Sequence, residues 1–175
     1  MGETYSKFKA ASVQASPVFL DRKATIEKAC NLMMEASKNG AKLVAFPEAF
    51  VPGYPYWIWL DVPSNNYEWF KKLFEEAVAI PSADTEALCR GAREADVYVV
   101  LGVNEKLPNQ MGTMWNTNII IDNRGNLLGK HRKIMPTFAE KNGLVPRRWK
   151  RTQGVGDRTR QTRNISMWKQ YALFI

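Results

Sequence analysis

Cysteine is scarce in this 175-residue chain: there are two, Cys30 and Cys89, and none after Cys89. Two thiols inside helix-like apolar stretches exclude a disulfide framework and a Cys-rich metal site. They read as buried free thiols, small hydrophobes first and nucleophiles second. Histidine is scarcer still. His131 is the only one, which removes His-centred triads and multi-His metal sites. No apolar run reaches the roughly 20 residues that a spanning helix needs. The N-terminal Met1-Gly2-Glu3-Thr4-Tyr5 has no apolar signal core, so a soluble, reducing, cytoplasmic setting is expected.

Acid is missing from one region only. The chain holds 25 Lys+Arg and 17 Asp+Glu, and residues 1–140 contain 16 of each. The net charge of +8 therefore sits in residues 141–175, which carry nine basic residues and the single acid Asp157. A nucleic-acid partner would be suggested by a basic stripe spread over a fold. Here the charge marks a break in composition instead, and no nucleic-acid or membrane partner is expected.

What is present is an α/β pattern. Lys9 to Gln14 reads as a first strand. Asp21 to Lys38 has apolar residues near helical spacing and is closed by Asn39-Gly40. Leu43 to Phe46 is a short apolar run that fits a buried parallel strand, and Pro47 stops it. Residues 51–63 form a loop rich in Pro and aromatics. Tyr67 to Ala79 and Ser82 to Asp96 read as helices. Val97 to Gly102 and Trp115 to Asp122 read as strands, and Asn123-Arg124-Gly125-Asn126 is a turn before Leu127. Strands alternating with helices indicate α/β.

Two motifs carry chemistry. Val44-Ala45-Phe46-Pro47-Glu48-Ala49-Phe50-Val51-Pro52-Gly53-Tyr54-Pro55 places Glu48 just past the C-terminal end of a strand, where α/β enzymes gather reactive groups. Gly129-Lys130-His131-Arg132-Lys133-Ile134-Met135-Pro136-Thr137 places Lys133 at the end of another. Taken singly, Glu48 is equally a solvated acid, and Lys130 to Lys133 a surface basic patch. In this order and separation, over roughly residues 8–141, the two motifs resemble the nitrilase (carbon–nitrogen hydrolase) superfamily, closest to its nitrilase branch. The resemblance implies the N-terminal half of a four-layer α-β-β-α sandwich. It implies Glu48 as general base, Lys133 as the cation that stabilises the tetrahedral intermediate, and Glu140 as a second acid that positions substrate and water. The substrate would be a small-molecule nitrile, with no metal or organic cofactor, and the intact enzyme a homo-oligomer. Tyr54, Trp57, Trp59 and Trp115 are candidates for an aromatic-accepting pocket, and equally for core or subunit contacts.

The nucleophilic cysteine that the resemblance requires is absent. Met167-Trp168-Lys169 has one reading when shifted forward by one base, because Met and Trp have single codons: UGU-GGA, or Cys-Gly. That cysteine would fall 34 positions after Lys133. The expectation is a family segment over residues 1–141, then a basic, out-of-frame and disordered tail over 142–175. On this expectation the chain as written is inactive. The alternatives are a non-catalytic subunit that co-assembles with full-length nitrilase, an amidase-type hydrolase, and a genuine basic tail binding an acidic partner.

Overall fold

The structure is a computed structural model that describes residues 6–135. Glu140 and the 142–175 tail lie outside the described residues. The first strand, β1 (Lys9–Ser12), leads to α1 (Arg22–Lys38) and then β2 (Ala41–Ala45). The Asp21 side chain caps α1 by accepting from the Ala24 N–H at 2.9 Å, as an N-cap acid should. Gly40 takes φ +82° where the chain leaves the helix, a left-handed step that glycine makes without strain. Two short 3-10 helices, Tyr56–Trp59 and Pro63–Asn66, occupy the aromatic loop. There follow α2 (Tyr67–Glu76), β3 (Val78–Ala79), α3 (Ala83–Ala95), β4 (Tyr98–Lys106), β5 (Met114–Ile121) and β6 (Leu127–Arg132).

These strands form one mixed sheet in the order β1-β2-β4-β5-β6, with β3 on β4. The βαβ units at one side are parallel; β4, β5 and β6 form an antiparallel meander. Side chains alternate across such a sheet. On one face Val44, Val99, Leu101, Val103, Ile119 and Ile121 are buried with Ile26 and Met33 of α1 and Leu88 and Ala92 of α3. We call this the helix face. The other face carries Gly102, Asn104, Asn116 and half-buried Leu43, Val100 and Ile120. One sheet and one helical layer are thus present among the described residues.

Two boundaries depart most from the sequence pattern, each for a physical reason. The predicted helix Tyr67–Ala79 ends at Glu76, because Val78 and Ala79 pair in parallel with Glu105 and Lys106. Lys106 Nζ donates to the Phe74 and Glu75 carbonyls at 2.9 and 2.7 Å, satisfying the end of α2. The predicted strand Val97–Gly102 runs on to Lys106, its continuation hidden by Asn104 and Glu105. As the second motif implies, β6 runs through Lys130, His131 and Arg132 to end just before Lys133; the cations on its helix face have a buried counter-charge there.

Candidate active site

Glu48 is delivered by a bulge. After β2, Phe46 donates its N–H to the Val100 carbonyl and Val51 donates to that of Gly102. Residues 47–50 therefore span only two residues of β4 and must stand off the sheet. Ala49 takes φ +50° at the apex. Phe46 and Phe50 anchor the two flanks in the core, with ring centroids 5.2 Å apart. The bulge is possible because β4 has no side chain beneath it. A Cβ at Gly102 would lie 2.6 Å from the Ala49 nitrogen and 2.9 Å from the Glu48 carbonyl carbon, and would strike the Pro47 oxygen. Further along, Asn104 pins the loop, its N–H donating to Val51 O and its side-chain amide to Gly53 O, both at 2.8 Å.

Lys133 arrives from the other direction, one residue past β6. Its N–H donates to the Asn116 carbonyl at 2.7 Å, and its Nζ meets Glu48 Oε1 at 2.7 Å. The same oxygen accepts from Asn116 Nδ2 at 2.5 Å. The Lys133 side chain is 12% exposed and that of Glu48 28%. A carboxylate and an ammonium separated by 85 residues in sequence thus share a partly dry corner. In it a proton acceptor and a fixed cation lie within one hydrogen bond of each other.

Directly behind this corner, on the helix face, lies a second charged cluster. Glu105 is fully buried. It accepts from Thr117 Oγ1 at 2.8 Å, Lys130 Nζ at 2.6 Å, and Arg132 through Nε at 2.8 Å and a terminal nitrogen at 2.6 Å. Burial pushes the Glu105 carboxyl up, but the donors from Arg132, Lys130 and Thr117 outweigh it and hold it below its ordinary value. Arg132 also lies over the Trp115 ring at 3.8 Å.

Of the residues singled out from sequence, Glu48 and Lys133 come together. Trp115 neighbours Asn116 in β5 but sits on the opposite face, under Arg132. Trp57 is buried in a satellite core with Leu20, Leu73 and Met114, stacked on Trp69. Tyr54 is half-buried beside Tyr56, and Trp59 is half exposed. Sequence reasoning missed Gly102, Asn116 and Glu105. A signal existed for the last two: polar residues inside otherwise apolar strands need partners, and Asn116 and Glu105 stand in such runs. Among the described residues no group of three or more His, Cys, Asp or Glu is placed to hold a metal. No helix there is long and apolar enough to cross a membrane.

The family model described as carbon–nitrogen hydrolase matches residues 9–166. The chain is 46% identical over 137 residues to a nitrilase of Bacillus sp. (strain OxB-1), covering 78% of this chain and 39% of that protein. It is 38% identical over 143 residues to an aliphatic nitrilase of Rhodococcus rhodochrous, covering 81% of this chain and 38% of that one. The chain thus spans about two fifths of the length of these curated relatives. Among solved structures, an amidase from Nesterenkonia sp. superposes with a TM-score of 0.59 at 22% identity, over 80% of this chain and 48% of that one. The fold is therefore that of nitrilase-superfamily structures, present over about half their length.

Proposed function

The chain belongs to the carbon–nitrogen hydrolase family, and from that premise we propose that it carries the acid–base half of a nitrile-hydrolysing site. In the intact reaction a cysteine thiol gives its proton to Glu48. The thiolate adds to the nitrile carbon, and Lys133 stabilises the charge that develops on nitrogen. Two waters convert the thioimidate to the carboxylic acid and ammonia: R–C≡N + 2 H2O → R–COOH + NH3. Glu140 is the second acid, positioning substrate and water. The observation that carries this reading is the 2.7 Å contact of Glu48 Oε1 with Lys133 Nζ, in a chain 46% identical to a nitrilase.

The thiol is the missing part, and we assign its absence to a one-base shift of frame near codon 141. Support comes from the charge break at residue 141 and from Met167-Trp168-Lys169, whose shifted codons spell Cys-Gly. The experiment is to read the nucleotide sequence around codons 140–142 and past codon 175, express the protein with the frame restored, and measure ammonia release. Activity should appear. Glu48→Gln and Lys133→Ala should each lower kcat at least about a hundredfold while the protein stays folded. An unchanged kcat in Lys133→Ala would overturn the assignment.

A further inference from the structure

We propose that Asn116 is a positioning residue of this site, a group that ties its acid and its cation to a single strand. The inference rests on the roles given above to Glu48 and Lys133. Neither of those residues lies in a strand: Glu48 stands on the bulge after β2, and Lys133 follows β6. Each is reached by a different end of Asn116. The side-chain amide donates to Glu48 Oε1 at 2.5 Å. The backbone carbonyl accepts the Lys133 N–H at 2.7 Å. Asn116 itself is 6% exposed, inside β5 and opposite Asn104 of β4. A strand seats a side chain more closely than a loop does, so a contact made from β5 is held closely.

The geometry also divides the work of the carboxylate. Oε1 takes two donors, the Asn116 amide and the Lys133 ammonium. Among the described residues no donor is bound at Oε2. An amide is suited to this task because it donates without adding charge. A lysine or arginine at 116 would compete with Lys133 for Oε1, and an acid would repel Glu48. Asn116 therefore fixes the carboxylate through Oε1, the same oxygen that Lys133 holds.

The test uses the 175-residue chain and needs no turnover. Competitive acylation with acetic anhydride, read by mass spectrometry, reports how far each lysine is held. Lys130, bound to Glu105 on the helix face, is the internal control, and Lys42, whose side chain is 60% exposed in a surface pair with Asp96, is the exposed reference. Lys133 should react more slowly than Lys42 in the unmodified chain. Glu48→Gln should speed Lys133 by about tenfold, the fold-change that a hydrogen bond to a charged group carries. Asn116→Leu, similar in shape without the donor, should speed Lys133 by a comparable factor and leave Lys130 within about twofold. If Glu48→Gln releases Lys133 and Asn116→Leu does not, the Asn116 inference is overturned and the pair stands. If Glu48→Gln itself leaves Lys133 unmoved, the pair fails and the inference with it. Asn116→Ala is measured alongside, in case leucine disturbs the strand. Release of Lys130 and Lys133 together in both variants would make Asn116 a residue of the fold alone, and would also overturn the proposal.

Discussion

Glu105 has no exposed surface, yet its carboxyl is held below its ordinary value, because three residues direct four donors at it. A buried carboxylate of this kind links stability to pH. Its folded pKa lies below the unfolded value of about 4.3. The stability it contributes is therefore complete above that value and is lost as pH falls through the folded pKa. Glu76 and Asp122 are also lowered, burial raising them and hydrogen bonds outweighing it, so they act with the same sign. The urea midpoint should hold between pH 7 and about 5 and fall below about 4. Glu105→Gln should reduce that fall. At pH 7 it should cost about 3 kcal/mol, at the low end for breaking a buried pair because Lys130 and Arg132 keep some contact with water. A loss under about 1 kcal/mol in urea denaturation would mean that the cluster is dispensable to the fold.

At the scale of elements, the site depends on where strands end and what they leave room for. Gly102→Ala tests this. The added methyl meets backbone of the bulge rather than the end of a flexible side chain, so the bulge must lift. The expected cost is about 1–3 kcal/mol in thermal or urea unfolding, with faster acylation of Lys133 as Glu48 is carried away from it. The cap of α3 is a second, simpler case. Ser82 and Thr85 exchange hydrogen bonds in a capping box, and Ser82→Ala should lower stability by about 1 kcal/mol. The helix ends were legible because they are local: the starts at Asp21 and Ser82, the Asn39-Gly40 stop and the end at Asp96 all sit where the sequence pattern places them. Non-local features were not legible. Nothing near Val78 announces a strand, since its partners Glu105 and Lys106 are distant in sequence. The charged end of β6 looks like a solvated patch until Glu105 is found behind it. Glu48 and Lys133 were recoverable as residues from their motifs. Asn116, which touches both, was not, because its role exists only once β5 lies between bulge and strand end.

Across the whole molecule, the sheet separates the thiols from the carboxylate. Cys30 is wedged where α1 crosses α3: a Cβ at Gly91 would lie 2.6 Å from its sulfur. Cys89 lies in α3, its carbonyl 2.6 Å from where a Cβ on Gly125 would sit. Both helices cover the helix face, whereas Glu48 stands over the other, against Gly102 and Asn116. Burial, reinforced by nearby carboxylates, pushes both thiols above their ordinary value, so at neutral pH they are held as thiols rather than thiolates. Neither can hand its proton to Glu48 through the sheet, and on the proposed reading neither can reach a nitrile bound on the Lys133 side. A nitrile incubated with the purified 175-residue chain should therefore release no ammonia above the background without protein. Cys30→Ala and Cys89→Ala should leave that result unchanged. Ammonia release that disappears in either variant would show that a helical thiol reaches the substrate. The separation of the thiols from Glu48 by the sheet would then have to be abandoned.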